Sequence, residues 1–127
     1  WQLLVGGMVE RNLPIDVVRQ MGATRVIAGD IGSGLLKREQ LNSVVAVSEQ
    51  VLGLLVKRNM DEQIATLTNR DILIRPDLGD IGSLDFKQGT KAAQLGYQGL
   101  QVNTVKNKLA NVAVAPNTYN AWMASHA

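Results

Sequence analysis

Apolar residues fall in short runs separated by glycines, and the spacing inside each run predicts the element it forms. Leu3-Leu4-Val5 is a continuous run closed by Gly6-Gly7, which predicts a strand ending in a sharp turn. A helix is expected next, with Asn12 as its cap, Pro14 in its first turn, Asp16 near its positive end and Gly22 at its stop. Val17, Val18 and Met21 then share one face, which is predicted to be buried. Arg25-Val26-Ile27-Ala28-Gly29-Asp30-Ile31 has the apolar density of a strand buried on both faces of a parallel sheet, with Asp30 near its C-terminal end. After Gly32-Ser33-Gly34, apolar residues at Leu41, Val44, Val45, Val51, Leu52 and Leu55 predict a buried or nearly buried helix. The pattern loosens at Lys57-Arg58-Asn59 and resumes at Met60, Ile64 and Leu67, as a continuation or a second segment. Asp71-Ile72-Leu73-Ile74-Arg75-Pro76 is the next expected strand, ended by a proline that removes a backbone donor. Ser83 is the expected cap of a helix with Phe86, Ala93, Tyr97 and Leu100 along one stripe. Gly89, Gly96 and Gly99 weaken that helix in isolation by roughly 1 kcal/mol each relative to Ala, so packing must hold it. Ala115-Pro116-Asn117 introduces a short amphipathic element with Tyr119, Trp122 and Met123.

Strand, helix, strand, long helix, strand, helix is the order of an α/β domain built from parallel βαβ units. Gly29-Asp30-Ile31-Gly32-Ser33 recurs as Gly79-Asp80-Ile81-Gly82-Ser83, each copy between a strand and a helix. Five matching residues are reuse of a glycine-rich turn and a serine cap, not a solenoid repeat.

At 127 residues with 46% hydrophobic content, the chain has the length of one domain or part of one. Its 13 Lys and Arg against 11 Asp and Glu leave +2, too small an excess for a nucleic-acid partner. The pairs Lys37-Arg38 and Lys57-Arg58 read as solvated surface. Without cysteine there are no disulfides, thiol nucleophiles or Cys-based metal sites. The longest apolar stretch, Val44 to Val56, is interrupted by Ser48-Glu49-Gln50 and falls short of the roughly 20 residues that cross a bilayer, so no transmembrane segment is expected. The chain opens on Trp1, inside an apolar run, as a cut through a strand would.

Little here assembles into a catalytic constellation. His126, the single histidine, sits one residue from the end and is expected to be exposed. Ser33 lies in Gly-Ser-Gly and not in the G-x-S-x-G of a nucleophile elbow, which makes it a turn or cap residue. The loop from Gly29 to Gly34 lacks both G-x-G-x-x-G and the Walker lysine pattern. Asp30 and Asp80 have no neighbours at metal-ligand spacing and are expected to cap backbone N–H groups. No cofactor and no metal is expected.

Gly6-Gly7-Met8-Val9-Glu10-Arg11-Asn12-Leu13-Pro14-Ile15-Asp16-Val17, then Met21-Gly22-Ala23 and the strand Val26-Ile27-Ala28-Gly29-Asp30-Ile31, resemble the second half of bacterial patatin-like phospholipases. In that family an Asp-Gly-Gly turn precedes Asn-Leu-Pro, a helix ending in Met-Gly-Ala and a strand ending in an acidic residue. The similarity continues through Arg75-Pro76-Asp77-Leu78-Gly79-Asp80-Ile81-Gly82-Ser83 and Asp85-Phe86, and runs from about Leu3 to about Leu100. It implies a three-layer α/β/α domain whose C-terminal part spans residues 1–110, followed by a helical tail or linker over 111–127.

The activity implied is lipid acyl hydrolysis by a Ser-Asp dyad, in which the carboxylate activates a serine on a G-x-S-x-G elbow and a glycine-rich loop supplies the oxyanion hole. The elbow and that loop would lie upstream of Trp1. The dyad aspartate's position falls on Val5 when aligned on Gly6-Gly7, or on Gly6 when aligned without a gap from Asn12-Leu13-Pro14, and neither accepts a proton. No catalytic residue is therefore assigned, and the chain is expected to be a fragment or degenerate copy that is inactive alone. The complete domain would act on a phospholipid or ester. The tail from Val114 to Trp122 is similar to the segment after the hydrolase domain in envelope-directed members, which points to the bacterial periplasm or cell surface. Half a sheet should also expose Leu3 to Val5, Val26 to Ile31 and Ile72 to Ile74, favouring self-association through a sheet edge. The alternative is a non-enzymatic α/β binding or interaction module of flavodoxin-like or Rossmann-like type.

Overall fold

The computed structural model describes residues 2–4, 7–32, 36–82 and 84–127, with Val9 described by its backbone alone. A helical turn, α1 (Met8–Arg11), leads into α2 (Ile15–Gln20). Asn12 ends α1 and does not cap α2, whose N-cap is Pro14. The Asn12 amide is used elsewhere, donating to Met60 Sδ at 3.0 Å. Gly22 closes α2 as expected, at φ 104° in the left-handed region that favours glycine. The buried face of α2 is not the predicted one. Ile15 is 2% exposed, whereas Val17, Val18 and Met21 lie at the surface, because so short a helix meets the sheet through its first turn only.

The centre of the fold is one βαβ unit: β1 (Ile27–Gly29), then the long helix α3 (Val44–Ile64), then β2 (Ile72–Ile74). The strands are parallel, with Ile27, Ala28 and Gly29 opposite Ile72, Leu73 and Ile74. Ile72 N donates to Val26 O and Asp30 N to Ile74 O, both at 2.9 Å, so the ladder runs one residue past each end of β1. The chain is thus of mixed α/β class with a two-stranded parallel sheet. Leu3 and Leu4 lie outside any strand and are exposed, and Val5 is outside the described residues.

Side chains alternate across the sheet. Val26, Ala28 and Leu73 face Ile15, Leu13, Ala23 and Leu67, which form the principal core. The opposite face carries Ile27 and Ile72, and its two halves fare differently. Helix α5 (Asn103–Val112) packs against β2, and Ile72 is only 2% exposed, whereas Ile27 is 56% exposed. The expectation of a strand at Val26–Ile31 covered on both faces is therefore corrected, since among the described residues β1 is covered on one. The expected exposure of Ile72 to Ile74 is corrected as well, because α5 closes that half.

Helix α3 begins at Ser43, whose Oγ accepts from Ala46 N at 3.1 Å. It runs without a break past Lys57-Arg58, which pair with Asp61 and Glu62 one turn on. The predicted burial of its first half does not hold. Val44, Val45, Val51, Leu52 and Leu55 are exposed, and the buried residue of the helix is Met60, near its C-terminal end. Helical periodicity says which residues share a face, and a neighbour is still needed to bury that face.

A short 3-10 turn (Phe86–Gln88) opens α4 (Gly89–Leu100), and α6 (Pro116–Ser125) follows α5 with Pro116 in its first turn. Ser83, the expected cap, is outside the described residues. Most of the predicted stripe is on the outer side: Phe86, Ala93 and Tyr97 are exposed, whereas Leu100, its fourth member, is half-buried together with Ala92, Leu95, Gly96 and Gly99. Gly99 explains the choice of side. A Cβ there would stand 3.0 Å from Pro76 Cβ and 3.1 Å from its Cα, so α4 packs through a glycine against the segment leaving β2. A Cβ on Gly96 meets nothing within 4 Å. Gly96→Ala is therefore expected to stabilise by about 1 kcal/mol through helix propensity and lost unfolded-state entropy. Gly99→Ala should fall short of it by about 1 kcal/mol or more, since Pro76 must shift. Paired thermal melts check both values, and equal midpoints would contradict the contact.

Candidate functional site

In open parallel α/β sheets, ligand sites form outside the carboxyl ends of the strands. Here Asp30 follows β1 and Arg75 follows β2, so parallel pairing brings these two charged residues together. Asp30 Oδ2 accepts from Arg75 Nε at 2.8 Å, and Oδ1 accepts from Gly32 N at 2.9 Å in the tight turn expected of a carboxylate there. The Asp30 side chain is 13% exposed and that of Arg75 is 54% exposed. Both oxygens of Asp30 are engaged, which makes it a turn-forming carboxylate that orients Arg75. A Cβ on Gly32 would lie 3.1 Å from Asp30 Oδ1 and 3.7 Å from Met60 Cε, so the turn closes directly over α3.

The C-terminal half of α3 also holds the α1–α2 region, which follows the position where the resemblance puts the dyad aspartate. Asn59 Nδ2 donates to Glu10 O, Asn12 Nδ2 to Met60 Sδ, and Asp16 N to Gln63 Oε1 at 3.0 Å. Arg11 pairs with Asp16 across the same bend. Asn59 Oδ1 is buried without a hydrogen-bond partner among the described residues. Val5 and Gly6, the two alignments of the dyad position, lie outside the described residues, as do Ser33 and Gly34.

The best-satisfied charged group was not anticipated from sequence. Asp71, just ahead of β2, is 2% exposed. Its Oδ1 accepts from Val26 N at 2.9 Å, and its Oδ2 accepts from Thr68 N at 2.8 Å, Thr68 Oγ1 at 3.2 Å and the Arg19 guanidinium. Burial alone would push this carboxyl up. The Thr68 amide, the Arg19 guanidinium, the Val26 amide and the Thr68 hydroxyl outweigh burial and hold it well below the usual carboxylate range. Lys108 of α5 donates to the Asp71 carbonyl at 3.2 Å. One residue thus joins α2, β1, the loop before β2 and α5. Thr68-x-x-Asp71 is a visible turn pattern, but nothing in sequence announced donors from residues 19 and 26.

A Ser-His contact does occur at the other end of the chain. His126 stacks on Trp122 with ring centroids 4.2 Å apart, and its Nδ1 lies 2.9 Å from Ser125 Oγ. Ser125 Oγ donates to Trp122 O at 2.8 Å, and both residues are exposed, as expected for His126. No carboxylate orients the imidazole among the hydrogen bonds of the described residues, so the geometry is that of a helix end and not of a nucleophile. Thr68–Asp71 is a hydroxyl–carboxylate pair, but the Thr68 amide donates to the same carboxylate and Thr68 Oγ1 accepts from Arg70 N at 3.3 Å, a closed turn. Among the described residues no three of His, Asp and Glu gather as a metal site would require, and no helix is long and apolar enough to cross a membrane. Comparison with known proteins gives no further guide: no protein-family model matches the chain, and no curated protein matches it.

Proposed function

We propose that the chain is the C-terminal portion of a patatin-like lipid acyl hydrolase domain of three-layer α/β/α type, inactive alone. The observation that carries this reading is the order of motifs leading into the βαβ unit. Asn12-Leu13-Pro14 leads into α2, Met21-Gly22-Ala23 closes it with Gly22 left-handed, and Asp30 follows β1, which lies beside a parallel partner. Exposure of Ile27 between buried Val26 and Ala28 is what a strand still lacking cover on one face would give. In this reading the chain contributes sheet and helices, while the serine elbow and oxyanion donors belong to another stretch of polypeptide. Phospholipids or other esters are the substrates of the complete domain, the bacterial periplasm or cell surface is its location, and the open edge of β1 favours self-association.

The test supplies what this reading says is missing. Incubated with a p-nitrophenyl ester, the chain is expected to give only the buffer rate. Combined with a separately produced patatin-like N-terminal half bearing G-x-S-x-G and the glycine-rich loop, it is expected to associate and remain inactive. The Val5→Asp variant in the same complex is expected to raise hydrolysis by roughly 10²–10⁴, the contribution of a positioned general base. Saturable hydrolysis by the chain alone, abolished in Ser33→Ala, would overturn the proposal. A higher melting midpoint with nucleotide or phosphate would instead favour a binding module of flavodoxin-like or Rossmann-like type.

A further inference from the structure

No Asp or Glu follows Asp85, while Lys87, Lys91, Lys106 and Lys108 do, so the chain's whole basic excess lies in residues 86–127. Two of those lysines sit beside the stripe of α4 that the fold leaves outside. Phe86 is 82% exposed and Tyr97 is 65% exposed, with Ala93 between them on the same line of the helix. Lys87 and Lys91, one turn apart, flank that line and are exposed, followed along the same flank by Gln94 and Gln98. Neither lysine forms an ion pair among the described residues, and Leu84, just ahead of the helix, is 82% exposed. Asp85, the carboxylate at the N-terminal end, is engaged by Gln88 Nε2 at 2.7 Å.

We infer that this outer face of α4 docks on an anionic phospholipid surface, with Phe86 and Tyr97 entering the headgroup boundary and Lys87 and Lys91 meeting lipid phosphates. Charge decides the sign of the partner, since a face with lysines and no carboxylate along the helix selects an anionic one. Shape decides its class. The depression lined by Thr90, Ala93, Gln94, Tyr97 and Gln98 is shallow and open, unlike the groove that grips a peptide helix, whereas a bilayer moulds itself to a protruding face. Aromatic rings suit the headgroup level, and lysine stems lie along apolar surface with the ammonium in water. This inference stands on the charge and exposure of α4 and not on the hydrolase reading, and its readout involves no hydrolysis.

Co-sedimentation with vesicles of phosphatidylcholine, with and without phosphatidylglycerol, tests it on the intact chain. Binding is expected to the anionic vesicles only, weakening as salt is raised. Lys87→Gln with Lys91→Gln is expected to weaken it about 25-fold, each lysine near an anionic surface contributing a factor of about five. Phe86→Ser with Tyr97→Ser should abolish it. All four positions are exposed, and unchanged far-ultraviolet circular dichroism would verify that the variants fold. The inference is overturned if the chain stays in the supernatant, binds both vesicle types equally, or binds undiminished without the two lysines. It is also overturned if the aromatic pair proves to hold a dimer that does not sediment with lipid.

Discussion

Asp71→Ala is expected to cost about 3–5 kcal/mol, the penalty for removing one partner of a buried ion pair and leaving the other uncompensated. The loss strands more than Arg19. Val26 N, Thr68 N and Thr68 Oγ1 lose their acceptor as well, and each buried donor left unmade adds desolvation cost that water cannot reach in to relieve. Against a stability of about 5–15 kcal/mol for an ordinary domain, the substitution consumes a large share. The share is larger here, because Ile15, Val26, Ala28, Met60 and Ile72 are the buried apolar residues among the described residues. Asp71→Asn should cost less than Asp71→Ala, since its carbonyl can still accept from Val26 N. Urea unfolding followed by circular dichroism ranks the three proteins by midpoint. An Asp71→Ala midpoint indistinguishable from the parent's would mean that the carboxylate does not hold α2, β1 and the β2 approach together.

What the sequence revealed, and what it hid, follows one physical division. Elements set by local chemistry were legible: β1 and β2 as apolar runs punctuated by glycine and proline, α3 by its 3.6-residue period, the left-handed stop at Gly22 and the proline opening of α6. Burial was not, because it depends on neighbours that periodicity does not name. The apolar residues in the first half of α3 share a helix with Met60, but among the described residues Met60 is the buried one, where Asn59, Met60 and Gln63 tie the helix to Glu10, Asn12 and Asp16. On α4 the larger stripe of Phe86 and Tyr97 lost to the smaller one of Ala92, Gly96 and Gly99, since close approach to Pro76 rewards the absence of a side chain. Asp30 was legible as a turn carboxylate, although its Arg75 partner was not, because the two meet only once the strands pair in parallel. Asp71 was invisible for the same reason, its donors lying 45 and 52 residues away along the chain.

Acid should expose the same residue by a different route. In the folded chain Asp71 is held well below the usual carboxylate range, and on unfolding it returns to an ordinary value of about 3.9. The unfolded state therefore takes up the proton first. The stabilisation is fully present above that unfolded value and is lost progressively as pH falls through it toward the folded one. Midpoints in urea are expected to agree between pH 7 and pH 5 and to drop at pH 3. Other paired carboxylates contribute to that drop, but Lys57–Asp61 and Arg58–Glu62 are exposed at both ends and worth only a few tenths of a kcal/mol each. Asp71→Asn separates the contributions, studied in a stabilising osmolyte so that a folded baseline exists. The variant starts lower and is expected to lose markedly less between pH 5 and pH 3 than the parent. Equal losses in the two proteins would move the acid sensitivity to the surface pairs and leave Asp71 with a hydrogen-bonding role that its charge does not strengthen.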